Sequence, residues 1–330
     1  MSTRLDHLLR EQLMERRHRL DTTLKEASES SHLLNLLRDV DAALARMDQG
    51  TYGLCKGCHD AIETDRLLAD PLVEFCLDCL TPPQQAALQH DLDLAARIQS
   101  GLLPKKDFES NGWRAAYHYE AAGPVSGDYC DLVSTEDGSI YFMLGDVSGK
   151  GVSASLLMTH LHAMFRILIS LNLPLSQMME RASRVFCEST LPTHFATLVC
   201  GKATKWGEME ICNAGHLPPA LVKGREVKGL EGTGLPVGIF CDETFRVEKL
   251  HLEIGDTLVL YTDGISEAED SSGTLYGTER LFQIISEYSH LEPDHLITDC
   301  IRTIRAFRNG APASDDLTLM AIRRVAGAEA

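Results

Sequence analysis

One apolar run that ends on a single carboxylate constrains this chain most. Ile140-Tyr141-Phe142-Met143-Leu144 reads as a buried strand, and it runs straight into Gly145-Asp146-Val147-Ser148-Gly149-Lys150-Gly151. A carboxylate leaving the end of a buried strand is held rigidly, as a metal ligand has to be. Glycines beside it let backbone carbonyls and N–H groups approach an ion or a phosphate closely. A helix-like stretch begins near Val152. The spacing is not that of a Walker A loop, and taken alone the segment is only a strand-to-helix turn.

Three further acidic strand ends sharpen the reading: Gly127-Asp128, Thr262-Asp263-Gly264 and Asp315-Asp316. Carboxylates gathered in this way repel one another unless a cation offsets the charge. Oxygen-only ligation selects hard ions, Mg²⁺ or Mn²⁺. Two such ions sharing a carboxylate can hold a bridging hydroxide and neutralise a phosphoryl group under attack. The net charge of −17 over 330 residues fits a protein that collects carboxylates around cations. It argues against a general binder of nucleic acid or of anionic membranes, which needs basic patches.

No apolar segment follows the N-terminus, so no signal peptide is expected, and the longest apolar runs fall short of the ~20 residues that span a bilayer. The expected location is cytoplasmic. There, ten cysteines point to metal binding plus free thiols.

Residues 1–48 are rich in helix formers. Leu5, Leu8, Leu9, Leu13 and Leu20 recur at helical spacing, as do Leu33, Leu34, Leu37, Val40 and Leu44 after Ser28-Glu29-Ser30-Ser31. Two amphipathic helices joined by a turn are expected, as a hairpin or as a dimeric coiled coil. Residues 49–81 carry Cys55-x2-Cys58-x17-Cys76-x2-Cys79, whose four thiolates make a structural zinc site with no open position for catalysis. His59, beside a knuckle cysteine, reads as solvated surface. Residues 82–106 form a linker helix ending at Pro104, with an apolar stripe that is either core or a dimer seam.

Residues 107–326 form the second domain. Strand-like runs (196–200, 209–212, 220–222, 257–261 and 317–322) alternate with two long helical patterns, Ser153–Leu171 and Leu175–Ser189. Many strands with few helices between them suggest antiparallel sheets covered by helices, an α+β class. Lys150 is either a phosphate contact or a surface lysine, and His216 a turn-capping or core histidine. Cys130 is expected to point away from both Asp128 and Asp131. Cys187, Cys200, Cys212, Cys241 and Cys300 read as buried small hydrophobes.

The segment Ala45-Arg46-Met47-Asp48-Gln49-Gly50-Thr51-Tyr52-Gly53-Leu54-Cys55, with Ile62-Glu63, Arg66-Leu67, Ala69, Pro71 and Cys76-Leu77-Asp78-Cys79, resembles the DksA/TraR zinc finger. Members of that family carry acidic residues on a helical hairpin tip into RNA polymerase. The turn near 28–32 lacks that tip, so the finger reads as a structural or partner-binding module. A transcription-associated binding protein, with RNA polymerase as partner, is the alternative reading.

The second domain resembles a PPM-type (protein phosphatase 2C-like) serine/threonine phosphatase of the SpoIIE/RsbU branch. The matching stretches run in order. They are Ala96-x-Ile98-Gln99-x-x-Leu102-Leu103-Pro104, Gly127-Asp128-Tyr129-x-Asp131, Gly145–Gly151, Asn213-Ala214-Gly215-His216, Gly234-Leu235-Pro236-x-Gly238, Leu260–Gly264 with Glu267-Ala268, and Asp315-Asp316-x-Thr318. The resemblance implies a β-sandwich flanked by helices with two Mn²⁺ or Mg²⁺ ions in a cleft at one end. By position, Asp146 bridges both ions, the Val147 carbonyl helps bind one, Asp263 and Asp315 bind the other, and Asp128 acts directly or through water. Asp131 and Asp316 are weaker candidates, Asp316 as a loop-ordering residue.

The implied reaction is in-line attack of a metal-bound hydroxide on phosphoserine or phosphothreonine. The implied substrate is a STAS-type anti-sigma-factor antagonist. Control passes through the N-terminal module, the linker and dimerisation. Ser148 stands where eukaryotic-type relatives carry a histidine acid.

Overall fold

The computed structural model describes residues 3–26, 31–232, 234–311 and 313–326. The chain divides into two compact units, Met1–Asp91 and Leu92–Ala330.

In the first unit, α1 (Thr3–Glu26) and α2 (Ser31–Asp48) form the hairpin. Ion pairs Arg10–Asp48 at 2.8 Å and Arg17–Asp41 at 2.6 Å show the antiparallel register. These pairs are exposed and contribute little. The seam is held instead by Leu13, Val40 and Ala43, with Leu20 and Leu44 against them. Ser28, Glu29 and Ser30 of the expected turn lie outside the described residues. Leu9 of α1 packs on Cys55, Ile62, Leu67 and Cys76, so the helices and the finger share one small core. The finger also carries α3 (Thr64–Ala69) and a single 3₁₀ turn, Leu77–Cys79.

Helix α4 (Pro82–Leu102) crosses the division between the units. Leu88, Leu94 and Ile98 on its expected stripe are exposed at 37%, 44% and 58%, so the stripe is not core.

The second unit holds β1 (Phe108–Ser110), β2 (Trp113–Glu120), β3 (Asp128–Ser134), β4 (Ile140–Val147), α5 (Gly151–Ser170), α6 (Leu175–Ser189), β5 (Ala196–Ala203), β6 (Glu208–Ala214), β7 (Ala220–Lys223), β8 (Glu226–Gly229), β9 (Glu248–His251), β10 (Thr257–Tyr261), α7 (Asp263–Ser266), α8 (Thr278–Tyr288), α9 (Pro293–Arg308) and β11 (Leu317–Arg324). One antiparallel sheet runs β1-β2-β11-β10-β7-β8, the other β3-β4-β5-β6-β9. Period-two alternation gives each central strand one face for the partner sheet and one for helices. Phe142, Leu144, Val199, Leu258, Leu260 and Met320 fill the space between the sheets. Tyr141, Met143, Leu198 and Cys200 turn outward under α5 and α6. Val259, Leu319 and Ala321 do the same under α8 and α9. The result is four layers: helices, sheet, sheet, helices.

Besides the short α3 and α7, two long helices of the second unit go beyond the sequence reading. α8 and α9 place Leu281, Ile284, Ile285, Leu296, Ile297, Cys300, Ile301 and Ile304 on the sheet that holds β10 and β11, and this spacing of three and four is as helical as that of α5. α5 is also long and apolar enough, by length and composition, to cross a bilayer. The interrupted apolar run hides this. In the fold, Ala154, Met158, Leu161, Phe165 and Leu168 bury one face of α5 on the sheet as a core helix.

Cys187 and Cys241 are not separate buried hydrophobes. They are joined as a disulfide with Cα atoms 5.4 Å apart. The neighbouring loop is held to α6 by Ser183, whose hydroxyl donates to the Phe240 carbonyl at 3.3 Å and accepts from Gly238 N–H at 3.2 Å. That tertiary contact lies beside the two sulfurs, which are 54 residues apart in sequence.

Candidate metal centre

Antiparallel pairing assembles the acidic set. The start of β3 lies beside the end of β4, with Asp128 opposite Asp146. The end of β10 lies beside the start of β11, with Tyr261 opposite Leu319 and Thr262 N–H on the Thr318 carbonyl at 3.0 Å. Asp128, Asp146, Asp263 and Asp315 therefore gather at one end of the sandwich, two from each sheet.

Asp128 is buried, and its Oδ2 accepts hydroxyl bonds from Thr262 at 2.9 Å and from Thr318. One carboxylate oxygen thus links the two sheets and leaves Oδ1 for a ligand. Burial pushes the carboxyl well above its ordinary range, and the neighbouring charges of Asp146 and Asp316 add to the rise. Thr262 and Thr318 were not singled out from sequence. The available signal was a hydroxyl residue one position before Asp263 and two after Asp316.

Asp146 is raised to about 7, first by burial and then by the charges of Asp263, Asp315 and Asp316. A Cβ added at Gly127 would lie 3.3 Å from both Asp146 Oδ1 and the Val147 carbonyl oxygen. Carboxylate and carbonyl therefore face one small space that only glycine leaves open. Asp263 opens α7 and is also raised, by burial and then by Asp315 and Glu267. Gly264 lets that turn approach β11: a Cβ there would sit 2.0 Å from the Asp316 carbonyl oxygen.

Asp315 pairs with Lys150 at 2.8 Å, and this pairing raises the lysine further. Asp316 orders the loop, accepting from Ala122 N–H and Gly127 N–H at 2.8 Å each. The donors facing this space are all oxygen, which suits Mg²⁺ or Mn²⁺. Among the described residues, no three carboxylates close to the 4.8 Å spacing of a single-ion cage. Ligands of a two-ion site span a wider space than that.

Other sequence candidates lie elsewhere. Asp131 points outward from β3 to α5, where Arg166 grips it at 2.8 and 2.7 Å. Cys130 shares its face with Asp128, since alternation opposes it only to Asp131, and it packs between the sheets. Ser148 pins the loop before β5, its N–H on the Phe195 carbonyl and its hydroxyl accepting Phe195 N–H, both at 2.9 Å. His216 is buried and held low, at about 4, by desolvation. Gln99 of α4, buried, clamps Ser126 through both amide atoms, at 2.7 and 3.0 Å. The Ser126 hydroxyl in turn accepts Asp128 N–H at 3.0 Å.

In the first unit the sulfurs of Cys55, Cys58, Cys76 and Cys79 lie within 4.8 Å of one another, the compactness a tetrahedral four-thiolate site requires. Cys55 Sγ accepts N–H bonds from Gly57 and Cys76 at 3.3 Å each. Burial pushes the Cys55 thiol up, but backbone N–H groups outweigh it and bring the value to about 6. His59 is exposed, with a positive φ of 66°, and stands outside the set.

Comparison with known proteins matches a different family within each unit. Residues 136–325 match the family described as Stage II sporulation protein E (SpoIIE), and residues 50–85 match the prokaryotic dksA/traR C4-type zinc finger. Protein IcfG of Synechocystis sp. is 25% identical over 264 residues, covering 71% of this chain and 41% of IcfG. Phosphoserine phosphatase RsbU of Bacillus subtilis is 28% identical over 246 residues, covering 73% of this chain and 72% of RsbU. The SiaA-PP2C domain of Pseudomonas aeruginosa superimposes with a TM-score of 0.65 at 18% identity, over 74% of this chain and 99% of that domain. The chain thus spans less than half of one of these relatives and most of the other. The matched segment takes in three of the four acidic strand ends, and the shared fold the whole sandwich: this chain belongs to the SpoIIE family and carries a PP2C-type phosphatase domain behind a DksA/TraR-type zinc finger.

Proposed function

We propose that this chain is a metal-dependent protein serine/threonine phosphatase acting in the cytoplasm on a phosphorylated regulatory protein of the STAS antagonist type. The observation that carries this reading is the convergence of four aspartates at one end of the sandwich, with Asp146 driven to about 7 by burial and its neighbours' charge. Such a set is poised to exchange protons for cations. RsbU, a relative, is named a phosphoserine phosphatase.

Asp146 would hold both ions, the Val147 carbonyl would hold one of them, and Asp263 and Asp315 would hold the other. Asp128 contributes the oxygen that Thr262 and Thr318 leave unused. Two divalent cations, Mn²⁺ or Mg²⁺, supply when bound an activated water and a counter-charge for the phosphoryl group. Lys150, paired with Asp315, is the candidate contact for a phosphoryl oxygen. The finger's four thiolates would hold one structural Zn²⁺.

Control runs through α4. Gln99 ties that helix to the Ser126-Gly127-Asp128 segment, so a shift of α4 reaches a ligand within two residues. Exposed Leu94 and Ile98 on α4 suit a homodimer seam. The test is Mn²⁺-dependent hydrolysis of a phosphoserine protein by the wild type, Asp146→Asn and Asp263→Asn. Turnover in the wild type alone supports the reading. Equal turnover in all three, or none in the wild type, contradicts it.

A further inference from the structure

His216 lies outside the acidic set, yet it bonds to a neighbour of each half of it. Its Nδ1 lies 2.9 Å from Thr197 Oγ1, and its Nε2 lies 3.0 Å from the Tyr261 carbonyl oxygen. Thr197 is the β5 residue directly opposite Asp146 on β4. Tyr261 ends β10, two residues before Asp263. The imidazole therefore spans from one sheet to the other behind two ligand positions.

The bonding fixes the tautomer. A carbonyl only accepts, so Nε2 carries the proton and Nδ1 accepts from the Thr197 hydroxyl. That hydroxyl has one proton, and the Asp146 carbonyl at 3.4 Å is its more distant alternative. The Asn213 Oδ1 accepts His216 N–H at 2.8 Å, and Gly215 turns at a φ of 67° with no room for a Cβ beside Pro236. The backbone thus presents the ring in one place, as a neutral group that donates at one end and accepts at the other.

We infer that His216 is a positioning residue, a strut that sets the separation of Asp146 from Asp263 and so the affinity of the site for its divalent cations. This rests on the phosphatase reading and extends it to a residue that touches neither substrate nor ion. A side chain that only filled space would support the fold without favouring one separation. A strut that bonds at both ends makes the cavity fit the ions before they arrive.

The test measures Mn²⁺ binding, independently of turnover, by the loss of the free-ion electron paramagnetic resonance signal. It uses the zinc-loaded full chain well below its melting temperature. His216→Leu is expected to bind Mn²⁺ about tenfold more weakly, the scale seen when supporting partners of ligands are removed. His216→Gln can still donate and accept, and is expected to recover most of the affinity. Thr197→Val breaks the same link from the other side and carries the test if His216→Leu does not fold. Wild-type affinity in His216→Leu or in Thr197→Val, with only a lower melting temperature, overturns the strut. Equal Mn²⁺ binding by the wild type and Asp146→Asn overturns the underlying cation site instead, which separates the two failures.

Discussion

Asp128 and Asp146 stand directly opposite one another in the antiparallel pairing of β3 with β4, on the face turned toward the other sheet. Like charges directly opposite in a sheet are destabilising. Here one of them gives an oxygen to Thr262 and Thr318, and the other is surrounded by Asp263, Asp315 and Asp316. The fold spends stability at this end, which a bound cation would offset.

A pH dependence follows. The folded-state value of Asp146, about 7, lies above the ordinary aspartate value of about 3.9. Between the two, the folded chain holds a proton that the unfolded chain has lost, so stability of the metal-free protein falls as pH rises through that window. Both tryptophans, Trp113 and Trp206, lie in the second unit, so their fluorescence follows that unit alone. Metal-free protein should melt higher at about pH 5 than at about pH 8, and Mn²⁺ should raise the melting temperature chiefly at the higher pH. Asp146→Asn should weaken both trends, leaving the part that Asp128 and Asp263, raised in the same sense, still supply.

Asp131 serves as a contrast to Asp146. Its buried carboxylate is held by Arg166 on α5, on the opposite face of β3 from Asp128. Asp131→Asn should cost about 2 kcal/mol, below the ~3–5 of a fully buried pair because the guanidinium is partly in water. Denaturant melts should show the loss, and Mn²⁺ affinity should stay at the wild-type value.

Gln99→Leu removes both bonds to the Ser126 backbone and leaves a buried N–H and C=O without that partner. The expected cost is about 1–3 kcal/mol, taken at the segment that carries Asp128. Turnover at fixed, sub-saturating Mn²⁺ should fall about tenfold. Unchanged turnover across a Mn²⁺ titration would remove the proposed path from α4 to the site.

In the first unit, Cys76→Ser breaks a four-sulfur cluster that shares its core with Leu9 of α1. A small core of this size depends on its metal. Bound zinc, by elemental analysis, should fall from one equivalent toward zero, with loss of helical circular dichroism. The tryptophan melt of the second unit should be unaffected.

The aspartates and cysteines of the candidate sites were legible because each breaks a local pattern. Asp146, Asp263 and Asp315 are charges set at the ends of apolar strands, and the paired CxxC knuckles have a spacing with few other uses. Helices α5 and α6 and strands β5, β6, β7, β10 and β11 followed from periodicity, with boundaries differing by up to three residues. α8 and α9 have the same periodicity, in apolar stretches of 11 and 16 residues, shorter than that of α5. The roles of Thr262, Thr318, Gln99 and His216 were out of reach for another reason. Each depends on a partner brought near only by the closed sandwich, as with His216 and Tyr261, 45 residues apart. The Cys187–Cys241 pairing belongs to the same class.

The most direct test of a two-cation site built from four strand ends is the number of Mn²⁺ ions bound per zinc-loaded chain, read by isothermal titration. The wild type should bind two, and Asp146→Asn, which removes the shared ligand, should lose both at the same concentrations. One ion lost, or two retained, would contradict Asp146 as the residue that joins the site.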